Sequence, residues 1–334
     1  MKITILYVGS SLLAPLRSAE REINRVHKVD LSVAAYNFGS PLSDNEWVGV
    51  EEDLKQSNIV FVIHVMDGEN ASRLVSALDR IKNDAVIVIN CMPELMRRTR
   101  MGRLDISTFG KQNGKGGKLL RSVGSWVGSQ ARRAKSQDKH TQYLKLVDRL
   151  PGILKFVPTA GALTDAKHYL YLFCYFLQPT PANIQSMLLY ALVHYTRDAR
   201  LKKIRVPKPE QMPSVAIYHP NAPALFQTFA AYRKWYRRPL NRESTIGLLL
   251  MRPQVISKTT KHYDALINAL EAEGLSVIPA IATLMDNREA VSKFFVESGD
   301  TKARVSQIVS LTGFSFVGGP AMNDSAPHPS SCAS

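Results

Sequence analysis

Cysteine is scarce in this chain, and the few cysteines are far apart. Three occur in 334 residues, at Cys91, Cys174 and Cys332, and no two of them have the C-x-x-C spacing. The sequence therefore supports neither a disulfide framework nor a cysteine metal site. A reducing cytoplasm is the expected compartment.

Long apolar runs and common catalytic motifs are also missing. The longest apolar stretch, near residues 169–177, is too short to cross a bilayer, which needs about 20 residues. The segment GKQNGKGGK at 110–118 does not fit the phosphate-loop pattern G-x-x-x-x-G-K-[ST], because Leu119 follows its last lysine. No H-E-x-x-H or H-x-x-x-H pattern occurs, and no Ser-His-Asp or Cys-His arrangement can be assigned. The sequence thus predicts no membrane span, no metal site and no catalytic residue.

Acidic residues are sparse between residues 97 and 149. Fourteen Lys or Arg residues stand against three Asp residues there, so this segment carries +11 of the net charge of +15. Nucleic-acid binding is disfavoured, because aromatic residues are few in the segment and no nucleic-acid motif is present. A charge run is usually a solvated face. The functional alternative is docking of an acidic partner or an anionic ligand, with Arg132 and Arg133 as candidates.

Most of the remaining sequence alternates between strand-like and helix-like patterns. Strands are predicted at 3–8, 29–35, 59–65, 85–90, 214–218, 245–251 and 275–282. Helices are predicted at 15–26, 44–56, 69–81, 94–101, 141–156, 165–177, 182–194, 224–236 and 258–273. Strands that alternate with helices indicate an α/β protein. We expect two doubly wound, Rossmann-like parallel-sheet units with a helical insertion between them.

The patterns also predict domain boundaries. Residues 1–158 form an α/β head domain that includes the basic loop segment 97–149. Residues 159–212 form a helical segment and a Pro-rich crossover, and residues 213–321 form the second α/β unit. The Pro- and Ser-rich tail at 322–334 lacks periodicity and is expected to be disordered.

Three polar residues follow or lie near the ends of predicted strands, where parallel sheets bind ligands. His219 comes just after the fifth predicted strand, Arg252 directly follows the sixth, and His262 lies at the start of the next helix. They are candidates for contacts with a substrate. A histidine that caps a turn or a helix is the alternative, and position alone does not decide. His64 and His168 are expected to be core or cap residues.

Four blocks of the chain resemble, in the same order, segments of one protein family. They read INCMPELMRRTRMGRLDIS, DRLPGILKFVPTAGALTDAKHYLYLFCYFLQPTPANIQSML, YHPNAPALF and GLLLMRPQVISKTTKHYDALINALEAEGLSVIPAIA. The family is the porphyrin-binding H subunit of magnesium chelatase, which is related to the large subunit of aerobic cobaltochelatase. The resemblance covers residues 1–324, and the stretch from MPE to PTPAN favours the magnesium enzyme.

The resemblance implies a function that composition does not show. The family inserts Mg²⁺ into protoporphyrin IX on the way to chlorophyll or bacteriochlorophyll. ATP is hydrolysed by separate AAA+ subunits of the I and D types, and the porphyrin is bound by the family's own large subunit. No cofactor is assigned to this chain itself. Residues 213–321 would be the start of the chelatase domain, and the compartment would be the cytoplasm, or the plastid stroma in a photosynthetic eukaryote.

The family members are several times longer than this chain, and the residues usually proposed for chelation lie in the missing part. We therefore expect that the chain does not insert Mg²⁺ by itself. Two alternatives stay open. One is a cobaltochelatase-type subunit that acts on a corrin precursor in cobalamin biosynthesis. The other is a non-catalytic α/β binding or regulatory module, which would not bind a porphyrin.

Overall fold

The computed structural model describes residues 1–9, 11–65, 68–90, 92–109, 161–282, 287–297 and 302–312. Contacts divide the chain into two units, Met1–Gln211 and Met212–Ser334. The loop at 110–118, Arg132 and Arg133, the helix predicted at 141–156 and the tail at 322–334 lie outside the described residues. The helices predicted at 165–177 and 182–194 belong to the first unit by their contacts.

The first unit contains a six-stranded sheet of order β2-β1-β3-β4-β5-β6. Its strands are β1 (Lys2–Tyr7), β2 (Ser32–Asn37), β3 (Ile59–Ile63), β4 (Ala85–Ile89), β5 (Arg100–Met101) and β6 (Leu104–Asp105). The first four strands are parallel, whereas β4, β5 and β6 pair antiparallel. β3 and β4 read IVFVI and AVIVI, and all their residues are buried, which is typical of strands covered on both faces.

Helices cover both faces of this sheet. They are α1 (Leu13–His27), α2 (Asp44–Gln56), α3 (Glu69–Arg80), α4 (Pro93–Met96), α5 (Ile106–Phe109), α6 (Ala162–Leu177) and α7 (Pro181–Tyr195). Successive strand residues point to opposite faces, so Ile5 packs with α1, α6 and α7, and Leu6 packs with α2 and α3. Each large apolar side chain buried in this way contributes about 1.5–3 kcal/mol to stability.

The second unit contains a four-stranded sheet of order β10-β8-β9-β7. Its strands are β7 (Ala216–Ile217), β8 (Thr245–Met251), β9 (Ser276–Ala282) and β10 (Gln307–Ser310), and its main helices are α8 (Phe229–Trp235), α9 (Arg252–Ile256) and α10 (Lys261–Ala272). β10, β8 and β9 are parallel, and β7 is antiparallel to β9. Gly247 in β8 allows the Phe295 ring to approach, because a Cβ there would lie 3.1 Å from the ring.

The predicted fold class is confirmed: both units are α/β, with mostly parallel sheets. The bounds predicted for α2 are confirmed as well. Ser43 caps this helix in a capping box with Glu46, so the start of α2 is determined by residues three positions apart. Among the described residues, no helix is long and apolar enough to cross a membrane.

Three predicted elements are wrong in extent or direction. The strand predicted at 214–218 is only two residues long in the structure and is antiparallel to its neighbour. The helix predicted at 94–101 ends at Met96, and Arg100–Met101 joins the sheet instead. The helix predicted at 224–236 begins at Phe229, because Thr228 accepts a hydrogen bond from Ala231 and acts as its N-cap.

Candidate functional site

Arg252 has a structural role at the carboxyl end of β8. It is the first residue of α9 and is only 8% exposed. Its guanidinium Nε donates to the carbonyl of Pro213 and its Nη2 to the carbonyl of Met212, each at 2.8 Å. Arg252 therefore fixes the segment that leads into β7, since a buried guanidinium needs acceptors for its donors.

His262 lies at the same edge of the second sheet but is exposed to solvent. It is the second residue of α10, and its Nε2 lies 2.9 Å from Oε1 of Gln254 in α9. The structure thus brings Arg252 and His262 to one edge. Arg252 faces the protein backbone, and His262 is the accessible one of the two.

His219 lies at the other edge of that sheet. β7 runs antiparallel to β9, so the residue after β7 lies beside the amino end of β9. The ring is 4% exposed, and its Nε2 is 3.2 Å from Oε1 of Glu271, which also accepts a hydrogen bond from Tyr236 at 2.6 Å. Glu271 and His262 are nine residues apart on α10, about 13 Å along the helix axis. His219 therefore does not lie at the sheet edge that carries Arg252 and His262.

His64, expected in the core or at a cap, is exposed at the end of β3. Its φ of 52° is in the left-handed region, which is uncommon for a residue with a side chain. Its ring packs against Phe176, with centroids 5.2 Å apart. Although the side chain reaches solvent, the protein atoms around the ring desolvate it in part, and this lowers the pKa of His64.

A network of polar side chains joins α6 to α7 in the first unit. The hydroxyl of Tyr195 donates to Oδ1 of Asp165 at 2.8 Å. Nδ1 of His168 lies 3.0 Å from the same hydroxyl. Asp165 and His168 are three residues apart on α6 and so lie on one face of the helix. Tyr195 is the last residue of α7, and we call these three side chains the Asp–Tyr–His network.

The hydrogen bonds of the network assign the tautomer of His168. A carboxylate can only accept, so Tyr195 uses its proton on Asp165 and accepts from Nδ1–H of His168. Nε2 of His168 then carries the lone pair. Partial burial lowers the pKa of His168, although the nearby Asp165 opposes this shift, and the lowered pKa favours the neutral imidazole.

Asp165 is also held by the tight turn between β5 and β6. The backbone N–H of Arg103 donates to Oδ2 of Asp165 at 2.7 Å. Gly102, with φ 57°, leaves room for this contact, because a Cβ there would lie 2.5 Å from Oδ1 of Asp165. A side chain at position 102 would displace the carboxylate. The turn, α6 and α7 therefore determine the position of the network together.

Aromatic rings surround the network on the α6–α7 pair. The rings of His168 and His194 lie 4.0 Å apart between centroids, and those of Tyr190 and His194 lie 4.4 Å apart. Tyr171 extends the row, 5.8 Å from Tyr190. We call Tyr171, Tyr190 and His194 the aromatic row.

Two lysines and the carboxylate of Asp165 lie near the aromatic row. Lys167 and Lys202 both act on these imidazoles, since each contributes to lowering the pKa of a histidine. His194 reaches solvent in part, yet desolvation, with His168 and Lys202 beside it, lowers its pKa to about 4. Neutral imidazoles and phenols at such a surface can stack, donate and accept.

The network and the row were not predicted from the sequence. His168 and His194 are 26 positions apart, and only the antiparallel packing of α6 and α7 brings them together. A local signal was present in the spacing of Asp165, His168 and Tyr171 along one helix face. No group of three or more His, Cys, Asp or Glu side chains among the residues that the structure describes could hold a metal ion.

Comparisons with known proteins divide the chain into two matched regions. Residues 2–170 match the family model "Domain of unknown function (DUF3479)", and residues 173–331 match the model "CobN/Magnesium Chelatase". The gap between the two matches lies inside α6.

Curated relatives and one solved structure are similar to the chain. It is 28% identical to the chloroplastic magnesium-chelatase subunit ChlH of Oryza sativa subsp. indica over 345 residues, with 100% of this chain and 24% of that protein covered. It is 31% identical to the magnesium-chelatase H subunit of Rhodobacter capsulatus, with 80% of this chain and 21% of that protein covered. The catalytic subunit of cobaltochelatase from Mycobacterium tuberculosis matches at 13% identity and a TM-score of 0.39, with 88% of this chain and 18% of that one covered. The chain spans between about a fifth and a quarter of the length of these proteins.

Proposed function

We propose, from the premise that this chain belongs to the family of magnesium-chelatase H subunits, that it acts as an amino-terminal portion of such a subunit. Its role would be to hold the porphyrin during ATP-dependent insertion of Mg²⁺ into protoporphyrin IX. The observation that carries the proposal is the similarity of the whole chain to a curated relative of that family. A corrin precursor is the second candidate substrate, because the family model that matches residues 173–331 is named for CobN as well.

The proposed partners are the AAA+ subunits of the chelatase, which would supply ATP hydrolysis. The chain would contribute binding rather than catalysis, and we expect no Mg-porphyrin from it with the ATPase subunits alone. The proposed compartment is the cytoplasm, or the plastid stroma, as the word "chloroplastic" in the name of the rice relative suggests.

Of the three residues first chosen for substrate contact, His262 fits that role best. It is exposed at the carboxyl edge of the second sheet, whereas Arg252 and His219 are buried and bonded within the protein. The proposal for substrate contact in this unit is therefore restricted to His262. Arg132 and Arg133 remain the proposed docking residues for an acidic partner or for porphyrin carboxylates.

The test is a titration of the full chain with deuteroporphyrin IX. Binding is measured by the quenching of tryptophan fluorescence and by the position of the Soret band. We expect saturable quenching and a shifted Soret band. If neither occurs, the chain is a non-catalytic module of another kind and the proposal is wrong. Binding of a cobalt-free corrin precursor without binding of the porphyrin would favour the cobaltochelatase-type function.

Charge reversal tests the docking residues in the same assay. The double variant Arg132→Glu/Arg133→Glu should bind more weakly, with the largest effect at low ionic strength, because salt screens exposed charges. Unchanged affinity at low ionic strength would reject docking through these two residues. His262→Ala tests the second unit, and affinity equal to that of the wild type would remove His262 as a contact.

A further inference from the structure

We propose that the aromatic row on the α6–α7 pair is a binding site for a planar aromatic ligand that carries carboxylate groups. Tyr190 would stack on the ligand, and His194, whose ring is tilted 50° from that of Tyr190, would contact it edge-on. Lys167 and Lys202 would bind its carboxylates. This inference rests on the proposed function, which makes a tetrapyrrole carboxylic acid the ligand class. Neither the family models nor the names of the relatives assign a site to these residues.

The first argument is that the row is open to a ligand while its geometry is fixed. Tyr171 and Tyr190 are half-buried, and His194 is exposed. Tyr190 contacts the rings of His168, Tyr175 and His194 at 5.4, 5.9 and 4.4 Å, so it is held by packing on several sides. Ordered rings lose little entropy when a ligand stacks on them, and this favours binding.

The second argument concerns hydrogen-bonding groups. Among the described residues, neither the Tyr190 hydroxyl nor the His194 ring nitrogens have a hydrogen-bond partner. The bonds of the Asp–Tyr–His network leave Nε2 of His168 with a lone pair. The row thus offers ring faces together with polar groups that a ligand can use, as small-molecule sites commonly do.

A comparison with the second unit shows that aromatic clustering alone does not make such a site. Tyr232 and Tyr236 stack there with centroids 4.9 Å apart. Their hydroxyls donate to the carbonyl of Val277 and to Glu271, and both rings are buried. That cluster is a buried core whose hydroxyl groups are hydrogen-bonded. The aromatic row is partly exposed, and its Tyr190 hydroxyl has no hydrogen-bond partner among the described residues.

Charge selects among planar ligands. The segment that follows α7 contains Arg197, Arg200, Lys202, Lys203 and Arg205 against a single acid, Asp198. Asp198 is already paired with Arg200 at 2.6 Å, so the other cations of the segment can attract an anion. Lys202 is exposed and follows α7, and its Nζ donates to the carbonyl of Val193 at 2.9 Å. This bond holds the ammonium beside the row and leaves it two further donors. Aromatic faces beside exposed lysines fit a flat dicarboxylate better than a neutral or cationic ring system.

Single-stranded nucleic acid also stacks on aromatic rings beside cations, but it requires a track along several nucleotides. The ring centroids of Tyr171, Tyr190 and His194 follow one another at 5.8 and 4.4 Å, so the row is at most about 10 Å long. A compact macrocycle matches that size. An oligonucleotide is therefore a competing outcome of the test rather than the proposal.

The experiment compares full-length variants in the deuteroporphyrin titration. Tyr190→Ala should weaken binding by about 5- to 150-fold, the range that loss of one stacking ring gives in aromatic recognition. His194→Ala, which removes the edge contact, should weaken binding as well. Tyr190→Phe keeps the ring and removes only the hydroxyl, so it should lose less affinity than Tyr190→Ala. His27→Ala, which removes an imidazole at the end of α1, is the matched control and should bind like the wild type. Lys202→Glu should weaken binding at low salt more than Lys202→Met, which loses the same hydrogen bond to the Val193 carbonyl without adding a negative charge.

The outcomes separate the two proposals. If the wild type binds and all variants bind equally well, the site assignment is wrong while the proposed function stands. If the wild type does not bind at all, both fail. Equal losses in Tyr190→Ala and Tyr190→Phe would also overturn the assignment, because stacking would not be the cause. Tighter competition by a short oligothymidylate than by free porphyrin would identify the row as a nucleic-acid surface instead. Thermal melts of each variant exclude misfolding as the reason for a loss.

Discussion

Replacing Tyr195 by Phe tests whether the Asp–Tyr–His network holds α6 and α7 together. The change removes one oxygen and leaves the ring in place. Asp165 then loses the donor at 2.8 Å, and Nδ1 of His168 loses its acceptor at 3.0 Å. The backbone N–H of Arg103 still donates to the Asp165 carboxylate.

The expected cost follows from burial. The Asp165 and His168 side chains are 13% and 15% exposed, so water replaces the lost hydroxyl poorly. Leaving a buried polar group without its partner costs about 1–3 kcal/mol. The matched control is Tyr190→Phe on the same helix, where no described residue bonds to the hydroxyl. Because Tyr190→Phe removes no such hydrogen bond, it should change the free energy of unfolding by no more than about 0.5 kcal/mol.

Amide hydrogen exchange, read by mass spectrometry on peptides from α6 and α7, measures this difference locally. A loss of about 1–3 kcal/mol speeds exchange in these peptides by about 5- to 150-fold, because exchange follows the local opening equilibrium. Peptides from α2 and from the second unit serve as internal references and should not change. If Tyr195→Phe exchanges like the wild type, or if Tyr190→Phe loosens the helices equally, the network does not hold the pair.

Three further outcomes are expected from thermal melts of the full chain. Gly102→Ala should lower the free energy of unfolding by more than about 2 kcal/mol, because it adds left-handed backbone strain to the displacement of Asp165. Gly274→Ala is the control: space is open around its Cβ, so it should cost only about 1 kcal/mol. Equal costs would contradict the contact between Gly102 and Asp165. Arg252→Met should lower the free energy of unfolding by about 2–4 kcal/mol, because two hydrogen bonds to backbone carbonyls are lost. Porphyrin affinity should not change. Weaker affinity with normal stability would show that Arg252 contacts the ligand and is not a structural residue. His194 has a pKa of about 4 in the folded state and about 6.5 in the unfolded state. Between these pH values the unfolded chain binds more protons, so the stability should fall as the pH falls from 6.5 to 4. His194→Gln should make this fall less steep.

Local signals predicted much of the fold. The start of α2 was predicted correctly, because Ser43 and Glu46 cap the helix from within it. β3 and β4 were recognisable as uniformly apolar runs, and their burial on both faces explains the pattern. In such elements the residues that decide the conformation are neighbours in sequence.

Elements decided by distant partners could not be predicted in the same way. β7 pairs with β9 about sixty residues later, and nothing within two apolar residues indicates an antiparallel direction. Arg100 lies in a strand where a helix was expected. Its side chain donates to the carbonyls of Leu78 and Ile81, which are about twenty residues earlier in the chain.

The same reason limited the prediction of the site. The direction of β7 separated His219 from Arg252 and His262. The Asp–Tyr–His network depends on how two helices pack, and Tyr195 is 30 positions from Asp165. Strand ends identified from sequence can therefore suggest where a ligand binds only when the direction of every strand is known.

The α6–α7 pair has a consequence for how this protein can be divided or recombined. The two family models meet within α6, with His168 on one side of the junction and Tyr195 on the other. A chimera joined at residues 170–173 between two diverged relatives would combine halves of the network that had not evolved together. A junction at residues 211–212 keeps the Asp–Tyr–His network within one parent, and it lies at the boundary between the two contact units. Exchange of sequence between relatives should therefore be tolerated after the α6–α7 pair rather than within it.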